Sequence, residues 1–208
     1  MASIDDDTQR IAFRLPLLTG AATRPHPGEA VNGDRIHLQQ HGAIHRIVVI
    51  DGLGHGPHAA AAAARAVETL AAIPDADVPS SIRACHEALK GTRGAALSVI
   101  RIDLDAGRMT FAGLGNVEGV LVSPGAKHLL IPQRGTAGAV APRIQETEED
   151  LPDSFIIMLC TDGIGSGARR DLRFGPIVSA EALANELLTA WGRDADDAAV
   201  VVVSRQPT

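Results

Sequence analysis

Three aspartates in this 208-residue chain stand where a short, strongly apolar run meets a tight glycine-rich turn. Asp51 follows Arg46-Ile47-Val48-Val49-Ile50, Asp162 follows the apolar run 155–160 and Thr161, and Asp196 comes just before the run 198–203. A fourth, Asp34, follows Gly33 at the head of the segment that precedes Asp51. Apolar, β-branched runs of this length read as buried strands. A strand end holds a side chain on a rigid base at the rim of a sheet, so acids far apart in sequence can converge there. Clustered carboxylates, with a free backbone carbonyl from a glycine turn, suit hard divalent cations such as Mg²⁺ and Mn²⁺, which take oxygen ligands and keep several waters. Two such ions about 4 Å apart can turn a shared water into a nucleophile and clamp a phosphoryl group during in-line displacement. Asp-Gly is also a common turn dipeptide, so each acid read alone fits a turn or a cap equally. Spacing fixes neither the metal nor the reaction.

The elements that must position these acids are legible in outline. Residues 9–18 and 34–40 read as strands separated by the turn Arg24-Pro25-His26-Pro27-Gly28, and 44–50 as a buried strand ending in Asp51-Gly52-Leu53-Gly54-His55-Gly56-Pro57. Pro57 suits the first turn of a helix, and the Ala-rich stretch 58–72 contains no breaker. A second helix is expected over 79–90, started by Pro79-Ser80-Ser81 and stopped by Gly91. Runs 95–104 and 108–113 form a hairpin joined at Asp105-Ala106-Gly107, and 117–123 with 127–131 continue the meander around Pro124-Gly125. Strand 155–160, helix 179–191 and strand 198–204 complete the chain. The acidic stretch 142–152, with Glu146, Glu148, Glu149 and Asp150, reads as a solvated loop. Helices come grouped and strands come in antiparallel-looking runs, unlike the strict alternation of a parallel sheet. The fold class expected is α+β, two antiparallel sheets packed together with helices outside, as one domain over 1–208.

Composition removes several functions. Aromatic residues make up 2% of the chain, with no Tyr, so the core is left to Ala, Val, Ile and Leu. Net charge is −6, and no stretch gathers Lys and Arg with aromatics, so the requirements for nucleic-acid binding are unmet. Cys85 and Cys160 lie in no CxxC or Cys/His cluster, which fits buried thiols in a reducing compartment rather than a disulfide framework or a zinc site. The acidic N-terminus lacks an apolar signal core, and the longest uncharged apolar runs are six residues, against roughly 20 for a membrane span. A soluble, cytoplasmic protein with no membrane partner is expected.

Asp51-Gly52-Leu53-Gly54-His55-Gly56 followed by an Ala-rich helix resembles the "DG(L/M)GHG…A" segment of SpoIIE-type phosphatases, a branch of the type 2C metal-dependent serine/threonine protein phosphatases. The later pieces occur in that family's order: Phe111-Ala112-Gly113-Leu114-Gly115-Asn116, then Thr161-Asp162-Gly163-Ile164, then Asp196-Asp197-Ala198-Ala199-Val200. Upstream, Pro27-Gly28-Glu29-Ala30-Val31-Asn32-Gly33-Asp34 is similar to the family's first "GD" acid, so the resemblance spans roughly 25–204. It implies a four-layer α–β–β–α sandwich with two Mn²⁺ or Mg²⁺ ions at one end. By this resemblance Asp51 bridges the two metals, the Gly52 carbonyl binds one of them, Asp162 and Asp196 hold the other, and Asp34 acts mainly through metal-bound water. A bridging hydroxide would then attack phosphoserine or phosphothreonine directly, which makes Asp51, Asp162 and Asp196 the catalytic acids. Asp196 rather than Asp197 takes the ligand's place in the pair, and Asp197 supports the turn or backs the ligands.

The chain departs from the family pattern in two places. Ala199 stands where Thr or Ser is frequent, which puts a local hydrogen bond in doubt. The phosphate-binding Arg of the eukaryotic enzymes has no clear counterpart, and Arg24, Arg35 and Arg93 are candidates for its work. His55 could assist a proton transfer, or equally cap the turn and face solvent.

Within the family, a short catalytic domain without appended modules is most similar to the stand-alone RsbX-like stressosome phosphatases. That resemblance implies a phosphorylated STAS-domain substrate (RsbS- or RsbR-like, or an anti-sigma antagonist) and a role in resetting a stress switch. The competing readings are a catalytically inactive phosphatase fold serving as a binding module, which the intact acids oppose, and a phosphoesterase acting on small molecules. No GxxxxGK[ST] or GxGxxG fingerprint is present.

Overall fold

Residues 17–141 and 143–206 are described by a computed structural model. Strand β3 (Ile44–Gly52) shows why the apolar runs carry no alternation. Ile47 and Val49 point into a core shared by both sheets, while Val48 and Ile50 point the other way, under the helices. Both faces are covered over 47–50, so each of these four positions is apolar. The same split occurs in β9 (Phe155–Cys160) and β10 (Ala198–Arg205): Ile157, Leu159, Val201 and Val203 face the shared core, and Ile156, Met158, Val200 and Val202 face a helix.

The remaining strands are β1 (Leu18–Arg24), β2 (Asp34–His41), β4 (Ala95–Asp103), β5 (Arg108–Leu114), β6 (Glu118–Ser123), β7 (Ala126–Leu130) and β8 (Thr147–Asp150). They form two antiparallel five-stranded sheets, ordered β1-β10-β9-β6-β7 and β2-β3-β4-β5-β8. Helices α1 (Pro57–Ala71) and α2 (Val78–Ala88) cover the second sheet, and α4 (Ala180–Trp191) covers the first. A short α3 (Gly167–Asp171) packs beside α4. This is the four-layer α–β–β–α sandwich expected from the sequence. Among the described residues no helix is long and apolar enough to cross a membrane.

Three local expectations change. Strand β1 runs over 18–24, against residues expected to lead into a turn, and positions 9–16 of the expected strand lie outside the described residues. The acidic stretch expected as a loop contributes β8, an edge strand beside β5. Its carboxylates serve there because Arg108 lies across from them, 2.5 Å from Glu148 and 3.6 Å from Asp150, an opposite-charge pairing of the kind that stabilises adjacent strands. Helix α2 starts one residue before Pro79, and Asp77 is its cap: Oδ1 accepts the Ser80 amide at 2.6 Å. Asp77→Ala is expected to cost about 1 kcal/mol, a fall in Tm of about 2–4 °C for a domain of this size. Asp77→Asn should keep most of it, as thermal melts of the two variants would show.

The turn after α1 is held by a buried cation. Arg46 of β3 donates to the carbonyls of Leu70 (2.5 Å) and Ile73 (2.8 Å) at the end of α1 and to the Ser81 hydroxyl of α2 (3.3 Å). A guanidinium suits a helix C-terminus, where carbonyls lack partners.

Candidate metal centre

Asp34 opens β2, Asp51 is the last residue but one of β3, and the two are direct partners across the antiparallel ladder. Asp162 follows β9, and Asp196 and Asp197 precede β10, which pairs with β9. Both pairs lie at the same end of the sandwich. The acids sense one another: Asp51 is repelled by Asp162, Asp196 and Asp197, and Asp34 by Asp51, Asp197 and Asp196. Burial, then the Asp51 charge, pushes the Asp34 carboxyl up to about 8. Burial, then Asp162, pushes Asp51 up to about 7. Asp196 is raised as well, by burial first and Asp162 second.

Each acid is set by its neighbours. Asp34 and Asp197 are only 3% and 2% exposed, and Oδ2 of each is buried with no hydrogen-bond partner among the described residues. Asp197 Oδ1 accepts the His26 amide at 2.8 Å, so this acid ties the 25–33 loop to β10. Asp162 Oδ2 accepts from the Asn116 amide group at 2.8 Å. The Asn32 side chain accepts the Asp34 amide at 2.7 Å and so fixes the start of β2.

Gly52 is required by a close approach. A β-carbon there would collide with the carbonyl of Ala59 in α1 and with the backbone of Gly33. Only a chain of glycine and alanine lets helix, turn and β2 meet so closely beside the acids.

Sequence reading left the doubtful Ala199 bond and several neighbours open, and the structure places them. The Thr161 hydroxyl accepts the Ala199 amide at 2.9 Å, and the Thr161 amide donates to the Ala199 carbonyl at 3.0 Å, so the joint between β9 and β10 is bonded from the Thr161 side. His55 Nδ1 lies 2.7 Å from Glu29 Oε1, and its ring stacks on His26 with centroids 4.4 Å apart. Neither Glu29 nor His26 was singled out by sequence. Their only signal is the Pro/Gly-rich loop that carries them. Of the three arginine candidates, Arg24 pairs with Asp194 (3.4 Å) and Arg35 donates to the carbonyls of Asn32 (2.6 Å) and Asp34 (2.8 Å). Arg93 instead lies over the Asp51–Gly56 turn: a β-carbon at Gly54, whose φ is +82°, would sit 2.9 Å from a guanidinium nitrogen. Cys160 and Cys85 are buried free thiols, and burial pushes the Cys85 thiol up to about 12.

Among the described residues no three His, Cys, Asp or Glu side chains are gathered into a ready-formed metal cage. The donor chemistry fits a hard divalent cation all the same. Five carboxylates share one rim, two of them raised to about 8 and about 7 by burial and mutual repulsion, and Oδ2 of Asp34 and of Asp197 is buried with no hydrogen-bond partner among the described residues. A buried oxygen without a donor is costly, and a cation relieves both the repulsion and the unmet oxygen at once.

Comparison with known proteins agrees with this architecture. The phosphoserine phosphatase RsbX of Bacillus subtilis (strain 168) is 31% identical over 97 residues, which is 47% of this chain and 49% of RsbX, so the matched segment spans about half of that relative. A structure solved in work on the bacterial stressosome as a modular system controlling secondary messenger signalling superimposes with a TM-score of 0.83 at 28% identity, over 90% of this chain and 99% of the other. The crystal structure of RsbX in complex with magnesium has the same fold, with a TM-score of 0.82 at 24% identity, over 91% of this chain and 96% of the other. The family model described as Stage II sporulation protein E (SpoIIE) matches residues 42–206, a span that holds Asp51, Asp162 and Asp196 on their strand ends, and the chain belongs to the SpoIIE family.

Proposed function

We propose that the chain is a divalent-metal-dependent protein phosphatase that hydrolyses phosphoserine or phosphothreonine on a STAS-domain regulatory protein in the bacterial cytoplasm, resetting a stress or sigma-factor switch. The observation that carries the reading is the convergence of Asp34, Asp51, Asp162 and Asp196 on one end of a SpoIIE-type sandwich. The likeness to a phosphoserine phosphatase supports the reaction, and the likeness to a structure from the stressosome supports the setting.

In this reading Asp51 and the Gly52 carbonyl, with Asp162 and Asp196, hold two Mn²⁺ or Mg²⁺ ions, and Asp34 stands behind them through water. When bound, such ions supply positive charge to phosphoryl oxygens and acidify water. The chain's own groups do the positioning. The Asn116 amide occupies one oxygen of Asp162 and so fixes which oxygen stays free. Asp197, through the His26 amide, keeps the 25–33 loop against β10, and that loop carries Asp34 at its end. Arg93, with its guanidinium over Gly54, orients the phosphate.

Phosphate release from a phosphoserine STAS-domain protein, measured with Mn²⁺, with Mg²⁺ and with EDTA, tests the reading. Release with metal and none in EDTA is expected, and absence of release with either metal would overturn it. Arg93→Ala should lower kcat/KM on that phosphoprotein about tenfold or more, the size of one lost charge-assisted hydrogen bond. The change should fall mainly on KM in steady-state kinetics.

A further inference from the structure

The meander strand β7 presents an unusual face. Lys127, Leu129 and Ile131 fall on one side of the strand and its continuation, while Leu130, on the other side, is buried in the core between the sheets. Leu129 and Ile131 are 59% and 65% exposed, large apolar side chains left uncovered by the described residues. Opposite them lies α3, and between the two runs a groove of about 490 Å³ whose lining includes Lys127, Leu129, Ile131, Ser166, Arg169 and Arg170.

The charge in this groove runs against that of the whole chain. Three cations line it against a single carboxylate, Glu118, although the net charge of the chain is −6. Glu118 is already engaged by Arg169. The Lys127 ammonium donates to the carbonyls of Arg170 (2.7 Å) and Leu172 (3.0 Å), and has no carboxylate partner among the described residues. The Arg170 guanidinium pairs with its neighbour Asp171 at 3.1 Å, and its side chain is 71% exposed.

Position completes the case. Glu118 opens β6 two residues after Asn116, the residue bonded to Asp162, and Ser166 comes four residues after Asp162 itself. Both walls of the groove therefore start at the acid-lined rim. β7 is also the last strand of its sheet, so among the described residues one backbone edge has no neighbouring strand, and an extended segment can lie along such an edge.

We propose that the groove between β7 and α3 docks an extended acidic segment of the phosphoprotein substrate, one that also carries an apolar side chain, so that its phosphorylated residue is delivered to the acid-lined rim. This rests on the phosphatase reading. The apolar side chain covers Leu129 and Ile131, and the carboxylates meet Lys127 and Arg170. Nucleic acid, the other acidic ligand, is disfavoured because the groove holds no aromatic ring on which a base could stack.

Two serine peptides test this, one with Leu-Asp-Glu-Asp on each side of the serine and one with Leu-Asn-Gln-Asn. Their unphosphorylated, fluorescein-labelled forms report binding by anisotropy, and their phosphoserine forms report phosphate release with Mn²⁺. The proteins are the full chain, Arg170→Glu, and the double variant Leu129→Ser/Ile131→Ser, all changed at exposed positions. The wild type should favour the acidic peptide about fivefold in both Kd and kcat/KM, the yield of one or two exposed ion pairs, and less so as salt rises. Arg170→Glu should abolish that preference and the double variant should weaken binding of both peptides, with p-nitrophenyl phosphate turnover unchanged. Equal binding of the two peptides, or a preference that survives Arg170→Glu, overturns the proposal. So does a concentration-dependent dimer lost in the variants without peptide preference, which would assign the groove to a second copy of the chain. If the binding preference appears but no phosphate is released from either peptide or from p-nitrophenyl phosphate, the phosphatase reading fails and the groove remains a peptide site.

Discussion

Asp51→Asn should reduce metal-dependent phosphate release on the order of a thousandfold and at the same time make the metal-free protein more stable. The first effect follows from the place of Asp51, at the end of β3 and directly across from Asp34, within the field of Asp162 and Asp196. In the proposed metal site Asp51 would hold the cations, and removing that carboxylate would forfeit several kcal/mol of charge stabilisation, at about 1.4 kcal/mol for each tenfold in rate. The second effect separates this loss from misfolding. Without metal, Asp51 is half-buried beside like charges, and an amide of the same shape removes the repulsion while still filling the space. A higher melting temperature in EDTA, together with a lost response to Mn²⁺, is the expected pair of results. A variant that melts lower than wild type in EDTA would mean that Asp51 serves the fold rather than a metal. Active sites that store such repulsion trade stability for function.

The end-of-strand acids were legible because fold and site share a single signal. A strand covered on both faces must be apolar throughout, so Val48-Val49-Ile50 and 198–203 stand out, and the first charged residue at their ends marks the rim. Elements without a dry face were not legible. β8 is Thr-Glu-Glu-Asp, an edge strand whose carboxylates meet Arg108 across the ladder, and nothing in that string is apolar. β1 carries Gly20 where a β-carbon would strike the backbone of α4 at Ala180 and Glu181, so close helix packing rather than strand propensity chose the residue. Within the site, sequence gave the acids their places but not their surroundings. That Asp197 faces inward and takes the His26 amide depends on how the 25–33 loop closes over β10. The Glu29–His55–His26 stack likewise exists only once that loop meets the turn after β3. Contacts between segments brought together by two different sheets leave no periodic trace in the chain.

Stability of the metal-free protein should fall as pH rises from about 4 to about 8, opposite to the usual behaviour of proteins rich in paired carboxylates. The sign follows from the acids of the rim. In the unfolded chain an aspartate titrates near 3.9, whereas in the folded protein Asp34 titrates near 8 and Asp51 near 7, because of burial first and neighbouring carboxylates second. Between these limits the folded state binds more protons than the unfolded state, so the slope of unfolding free energy against pH is negative. With one to two protons retained, unfolding free energy falls on the order of 1 to 3 kcal/mol per pH unit. Asp77, exposed and lowered by its hydrogen bonds to Ser80, acts in the opposite sense at lower pH, as do His37 and His45, both lowered by burial, below the ordinary histidine range; the net slope is set by the two more strongly shifted aspartates. Urea unfolding in EDTA at pH 5, 6, 7 and 8 measures the slope. Saturating Mn²⁺ should reverse it, since ligation requires the deprotonated carboxylates and displaces the retained protons. Calorimetric titration of Mn²⁺ at pH 6.5 in buffers of different ionisation enthalpy should therefore show net proton release. A stability profile that is flat or rises in EDTA would mean that Asp34 and Asp51 are already ionised in the folded chain. The buried Oδ2 of Asp34 would then be a charge held without a counterion, and the rim would have to be open to water in the metal-free protein.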